Sequence, residues 1–319
     1  MMRQLDGNGP ALSMNALTIA HLSDLHLPFD PRLSPRQRLS KRQLSVWSWR
    51  RRRLVQRPEI LDALVRDLAA HAPDHIVITG DITNFALPDE FRRAAAWLQA
   101  LAPAERISLV PGNHDALVSI ARADGLDRWR PWTRTDAGWP FTHRRDHVAF
   151  IGLNSALPTA PLLASGSLGA EQLSRLESVL LAEGAAGRTR VVLLHHPVAE
   201  HAVSRRKALT DRRQLRQVLA RAGAELVLHG HARDARLDCV QAPRGPIPCL
   251  CVPSSSALPN AQDEGARWHR IRLPGLSEPP VADVLVRKWD PAAEHFVDAV
   301  RYTLRLPERT GCRTHSVQR

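Results

Sequence analysis

The chain has 319 residues, 44% of them apolar and 24% charged, with a formal net charge of +12 and four cysteines. This content builds a sizeable core and excludes a disordered chain, and the length suits one large α/β domain or two small ones. No apolar run reaches the roughly 18 residues of a membrane-spanning helix, and Cys239, Cys249, Cys251 and Cys312, without a CxxC spacing, exclude a disulfide framework and a structural zinc site.

Residues 1–13 contain Asp6, Asn8, Gly9 and Pro10, which interrupt any leader-like apolar run. They are expected to form a disordered extension, with Met14 a candidate start and the protein cytoplasmic or peripheral to the inner face of the membrane. Leu17 to Leu22 reads as a short buried strand that stops at Ser23-Asp24-Leu25-His26, where Asp24 and His26, two residues apart, point the same way. Residues 31–57 then hold ten cations and no acid, with Trp47 and Trp49 beside Arg50 to Arg53. The charge excess is therefore local, and without this basic insertion the net charge falls to +2. Three readings of the insertion stay open: a solvated face, an anionic-membrane contact or lid over a lipid-linked or nucleotide substrate, and a nucleic-acid backbone contact.

Pro58 opens a helix whose Ile60, Leu61, Leu64, Val65 and Leu68 form an apolar stripe, and a crossover helix of this kind implies parallel strands on either side. The strand HIVITGD stops at Gly80-Asp81, and a helix from near Pro88 carries Phe91, Ala95, Leu98 and Leu101 on one side. Asn84 is expected to cap the turn between them. Ile107 to Val110 is a further strand, broken at Pro111-Gly112, which delivers Asn113, His114 and Asp115 to one point. Residues 119–146, rich in Trp, Arg and Asp, read as a helix and loop on the active face.

HVAFIGLN is the next strand, followed by a helix over Gly169 to Glu183 with Leu173, Leu176, Val179 and Leu180 inward. VVLLHHP ends at His195-His196-Pro197, DRRQLRQVLARAG forms a helix closed by Gly223, and ELVLHGH ends at His229-Gly230-His231. From Asp234 onward five strands follow without intervening helices, and antiparallel pairing is the economical reading. Residues 14–306 are expected to form one domain, with 307–319 a loose tail. His71, His75 and His147 lie outside the pattern and read as surface residues, and His229 as a packed strand end.

Five separate strands thus end in metal-type ligands: Asp24 with His26, Asp81, Asn113 with His114, His195, and His231. Ligands gather at the carboxyl ends of strands in open α/β folds, so these residues are predicted to meet although they span more than 200 positions. Carboxylate, imidazole and one amide oxygen suit Mn, Fe or Zn, and two ions sharing a carboxylate is the natural arrangement for so many ligands.

The ordered set Asp24-Leu25-His26, Gly80-Asp81, Gly112-Asn113-His114-Asp115, His195 and Gly230-His231-Ala232-Arg233 resembles the motifs of the calcineurin-like metallophosphoesterase superfamily over residues 17 to about 255. The resemblance implies a four-layer α/β/β/α sandwich, two mixed sheets with helices outside. It also implies hydrolysis of a phosphodiester or pyrophosphate bond by two divalent ions that share a bridging hydroxide. Under it Asp24 and His26 hold the first ion, Asp81 bridges, and Asn113, His195 and His231 hold the second. His114, oriented by Asp115, faces the phosphoryl group or leaving oxygen, while His196 lies behind the ligands or at the substrate. The family usually has a second His where this chain has Arg233, which weakens the first metal site or grips a substrate phosphate. The expected substrate is a small anionic phosphate ester, a nucleotide or nucleotide-lipid. The competing class is a catalytically degenerate protein that docks a membrane or nucleic acid through residues 31–57.

Overall fold

The computed structural model of the protein describes residues 15–260 and 264–309; the expected N-terminal extension, Met14, Cys312 and most of the expected tail lie outside them. The chain opens with β1 (Leu17–Leu22), and the basic insertion that follows is largely helical, as α1 (Pro35–Arg38) and α2 (Lys41–Arg52). Next come α3 (Pro58–His71), β2 (His75–Ile78), α4 (Pro88–Leu101) and β3 (Ile107–Leu109). Pro58 and Pro88 each occupy the first turn of their helix, where a missing N–H costs nothing. The turn before α4 is fixed by the Glu90 carboxylate, which accepts the backbone N–H groups of Asn84, Phe85 and Leu87 at 2.7, 2.9 and 3.0 Å. Glu90 thus holds the turn expected to be capped by Asn84, whose own side chain donates to the Leu27 carbonyl.

The second half runs through α5 (Arg130–Thr133), β4 (Phe141–Arg145), β5 (Val148–Gly152), α6 (Ala170–Ala185), β6 (Thr189–Leu193), α7 (Arg212–Ala222) and β7 (Leu226–His229). It closes with β8 (Arg236–Val240), β9 (Ile247–Cys251), β10 (Arg267–Leu273), β11 (Val281–Asp290) and β12 (His295–Arg305). Two six-stranded mixed sheets result, in the orders β12-β11-β10-β1-β2-β3 and β4-β5-β6-β7-β9-β8. The parallel pairs β1/β2, β2/β3, β5/β6 and β6/β7 are those the crossover helices require. Antiparallel pairing holds for β10, β11 and β12 as expected, but β9 runs parallel to β7 while β8 returns antiparallel to β9.

Three apolar layers separate the four structural ones. Ile60, Leu64 and Leu68 of α3 and Phe91 and Leu98 of α4 pack on the outer face of the first sheet. Ile19 and Val77 meet Phe150, Val191 and Leu228 between the sheets. Leu173, Leu176 and Leu180 of α6 and Leu215 and Leu219 of α7 cover the second sheet. Each such side chain contributes about 1.5–3 kcal/mol relative to exposure, and together the three layers hold the α/β/β/α sandwich.

Residues 119–146 depart from the expected helix and loop. They form short 3-10 turns, the four-residue α5 and an antiparallel edge strand, β4, and Trp129 and Trp132 are buried in the layer beneath α4. Likewise His75 and His147, expected at the surface, are fully buried. Position 75 shares the inward face of β2 with Val77, where the imidazole stacks on Phe150 at 4.3 Å and hydrogen-bonds Ser108 Oγ at 3.0 Å. His147 donates to the Pro274 carbonyl at 3.0 Å. His71 is partly buried on α3, next to Asp67 and edge-on to Trp268.

A buried ion pair ties the second sheet to its helices. Arg190 of β6 grips Glu225 with two nitrogens, at 3.0 and 2.6 Å, and donates to the Leu180 and Ala222 carbonyls near the ends of α6 and α7. The two side chains are only 2% and 1% exposed. Removing one partner leaves the other charge buried and alone, so Glu225→Ala is expected to cost about 3–5 kcal/mol. Chemical denaturation of the two proteins measures this directly, and a loss below about 1 kcal/mol, the level of an exposed pair, would contradict it.

Candidate metal centre

The carboxyl ends of the strands are tied together by their own backbones. Beyond β1 and β2 the two segments keep pairing, through Asp24 N to Gly80 O, His26 N to Asp81 O and Leu27 N to Ile82 O, all at 2.9 Å. Asp24, His26, Asp81, His231 and Arg233 all have positive φ, between 41° and 69°. Five non-glycine residues in this sparsely populated region, at the ends of three different strands, mark a site where conformational strain is held in place by surrounding bonds. Close approach adds a second constraint. A Cβ on Gly112 would lie 2.2 Å from Asp81 Oδ1, and one on Gly230 would lie 1.9 Å from Ser23 Oγ, so the loops pass too near each other for any side chain.

Asp81 stands at the centre. Its Oδ2 lies 3.4 Å from His195 Nε2 and 3.8 Å from His26 Nε2, and its Oδ1 accepts the His114 N–H at 2.7 Å. Two ligand groups share it: Asp24, Asp81 and His195 on one side, and His26, Asp81 and His114 on the other, with donor atoms within 4.8 Å of one another in each group. His195 Nε2 also lies 3.2 Å from Asn113 Oδ1 and 3.2 Å from His231 Nδ1. The expected ligands Asp24, His26, Asp81, Asn113, His195 and His231 are therefore brought together, and all six are buried.

The outward nitrogens of the histidines show that the donors fit divalent cations. His195 Nδ1 donates to the Thr79 carbonyl at 2.7 Å, His26 Nδ1 to the Thr83 carbonyl at 3.2 Å, and His231 Nε2 to the Lys207 carbonyl at 3.0 Å. In each ring the nitrogen facing the centre is left as the lone-pair donor a metal needs, and the backbone fixes its direction. Two carboxylates, three imidazoles and an amide oxygen form an N/O set suited to Mn, Fe or Zn.

Electrostatics agree with that fit. Burial disfavours a charged His195, but Asp81 and Asp24 overcome it and hold the ring's pKa up at about 9. Burial also opposes the Asp81 charge, yet His195, His114 and His26 keep its carboxyl well below the usual range. A pocket that binds a proton this tightly on imidazole favours any cation held by the same donors.

Asp115 has a different place from the one expected. Its carboxylate accepts the N–H groups of Gly112, Asp81 and Thr83 at 2.8, 2.9 and 2.8 Å, and the Thr83 hydroxyl at 2.9 Å. Burial first, then the neighbouring Asp81, pushes its pKa up to about 7. Asp115 thus ties the β2 and β3 loops around Asp81, and the His114 ring is set instead by the Asn84 carbonyl, 3.0 Å from Nδ1. His196 is fully buried, with Nδ1 on Ser155 Oγ at 2.8 Å and Nε2 on the Ala164 carbonyl at 3.2 Å. It packs 4.7 Å from the His231 ring, which is the placement behind the ligands and not the substrate contact. His229 is also buried, a packed strand end as expected.

Residues that the motifs do not include complete the frame. Ser23 Oγ donates to Asp24 Oδ2 at 2.7 Å, while Ser254 and Ser256 donate to the Asp24 and Leu25 carbonyls at 2.8 Å each. The signal was a run of three serines two residues after the apolar β9, a composition that fits only if the hydroxyls find backbone partners. Arg233 lines the cleft that opens onto Asn113 and His114, together with Lys41, Arg206 and Lys207.

Residues 17–232 match the family model described as calcineurin-like phosphoesterase. A curated relative, a probable cyclic nucleotide phosphodiesterase from Synechococcus, is 26% identical over 263 residues, covering 81% of this chain and 88% of the relative. Among solved structures, a dimetal phosphatase from Danio rerio matches 91% of this chain and 99% of its own at 13% identity, with a TM-score of 0.58. The purple acid phosphatase PPD1 of yellow lupin matches 91% of this chain and 54% of its own at 12% identity, with a TM-score of 0.50. At these identities the two structures show a shared fold.

Proposed function

We propose that this chain, which belongs to the calcineurin-like phosphoesterase family, is a hydrolase of phosphodiester or pyrophosphate bonds that works with two divalent ions. The observation that carries the reading is the place of Asp81 in both ligand groups, with three histidines oriented toward the centre by backbone carbonyls. The motif order would assign Asp24, His26 and Asp81 to one ion and Asp81, Asn113, His195 and His231 to the other, whereas the donor distances set Asp24 beside His195 and His114 beside His26; Asp81 is common to both divisions. Ions held by these residues would supply Lewis-acid charge at the phosphoryl oxygens and lower the pKa of a bound water.

The chain's own groups do the rest. Arg233, at the cleft wall, binds a phosphoryl oxygen of the substrate, a contact for which a guanidinium is well suited. His114, whose Nδ1–H donates to the Asn84 carbonyl, acts as the imidazolium: its Nε2–H gives the proton to the leaving oxygen and the ring is left neutral, to be reprotonated from solvent. Asp115 keeps the Gly112 and Asp81 loops in register and so positions both. The relative's printed activity, on cyclic nucleotides, favours a nucleotide-type diester.

No described helix is long and apolar enough to cross a membrane. The test is hydrolysis of bis(p-nitrophenyl) phosphate and p-nitrophenyl phosphate with added Mn, and again after chelation. Diester cleavage that disappears on chelation and returns with metal is the expected result. Monoester preference would move the reading to a phosphatase. No cleavage of either ester by folded protein, with Mn, Fe or Zn, would overturn it in favour of a degenerate docking protein.

A further inference from the structure

The cleft over Asn113 and His114 encloses about 240 Å³ and is walled on one side by the basic insertion. That wall is built into the fold. Arg42 of α2 is buried, its guanidinium donating to the Phe85 and Ala86 carbonyls at 2.9 and 2.7 Å, and Trp49 packs edge-on to Phe85. From the same helix Lys41 reaches across the cleft, and its ammonium donates to Thr159 Oγ1 and the Leu163 carbonyl at 2.6 Å each. Both acceptors are neutral.

Lys41, Arg206, Lys207 and Arg233 therefore share one small cleft, and none of its described lining residues is acidic. None of these four cations forms an ion pair among the described residues, so they repel one another and an entering anion relieves the repulsion. A simple diester brings a single negative charge, which the ions and Arg233 would already take up. The remaining cations have no counterpart on such a substrate. Leu44, Leu117 and Leu162 line the same space and offer an apolar surface to the organic part.

We propose that this cleft selects phosphoesters carrying a second phosphate-type anionic group, read by Lys41 and Arg206, with the organic part against Leu44 and Leu162. The proposal rests on the phosphoesterase reading above and deepens it. Lys41 is a specificity residue here: it releases Thr159 and Leu163 to take the second anion.

Binding and hydrolysis test the two layers separately. By calorimetry in the presence of chelator, thymidine 3′,5′-bisphosphate is expected to bind at least about tenfold more tightly than thymidine 5′-monophosphate, the scale of one added charged hydrogen bond. The ratio is expected to fall below about threefold in Lys41→Gln/Arg206→Gln and to survive in Lys41→Arg, with equal melting temperatures confirming that each variant is folded. With Mn, the p-nitrophenyl ester of thymidine 5′-phosphate should be cleaved faster when it also carries a 3′-phosphate, through KM more than kcat. Equal affinities and equal kcat/KM within each pair would overturn the proposal. Absence of metal-dependent cleavage of either ester would overturn the hydrolytic reading instead, and the binding ratio alone would then decide the charge assignment.

Discussion

Asp81→Asn is expected to reduce metal-dependent hydrolysis by about a thousandfold or more, because a bridging charge worth several kcal/mol of transition-state stabilisation is lost. The substitution is nearly isosteric. The amide keeps an oxygen for the His114 N–H, so the backbone between the β2 and β3 loops stays closed. What changes is the charge shared by the Asp24/His195 and His26/His114 groups, since Asp81 is the one residue common to both. Metal content should fall together with activity, from two ions per chain toward one or none. Elemental analysis of dialysed protein measures the first quantity and diester hydrolysis the second. Retention of more than a tenth of the activity with full metal content would show that Asp81 does not bridge.

The centre was legible because every ligand lies where an apolar run stops. Strand ends such as LTIAHL-SD and VVLL-HH combine buried branched residues with polar groups that no core tolerates unpaired, and several such ends in one α/β chain converge. The partners of those ligands were hidden, since most are backbone carbonyls: Thr79, Thr83, Asn84 and Lys207 act through a C=O that every residue type possesses. For the same reason Asp115 invited the wrong assignment. Its neighbour in sequence is His114, but its carboxylate faces three backbone N–H groups from two loops.

The edge strand β4 was hidden for another reason. Its inward positions are Phe141 and His143, and the imidazole is satisfied by Ser108 Oγ at 2.9 Å, so the alternation shows only one apolar residue. The insertion resisted reading most. A stretch with ten cations looks solvated, yet Arg42 is buried because two carbonyl oxygens replace its water, and with Trp49 packed on Phe85 it seats the helix from which Lys41 reaches Thr159 and Leu163. Outward from it, Leu39, Trp47 and Leu54 remain 92, 59 and 65% exposed. The insertion is thus neither wholly a solvated face nor wholly a lid.

The second large effect is expected at His114 and depends on the leaving group. Its Nδ1 is held by the Asn84 carbonyl and its ring stands edge-on to His26 at 4.9 Å, so the other ring nitrogen is directed by the protein and does not wander. A side chain fixed in this way, with the Asp81 carboxylate beside it to support its protonated form, is placed to protonate an alkoxide as it departs. His114→Gln should therefore lower kcat on a diester with an alkyl leaving group by about 10²–10⁴, the usual contribution of a positioned general acid. On bis(p-nitrophenyl) phosphate the loss should be far smaller, because p-nitrophenolate leaves without a proton. The ratio of the two losses separates proton transfer from metal binding: a residue that mainly held an ion would depress both substrates alike and would lower metal content as well. Equal losses on the alkyl and aryl esters, with metal lost in parallel, would place His114 among the ligands and leave the leaving oxygen to be protonated by water.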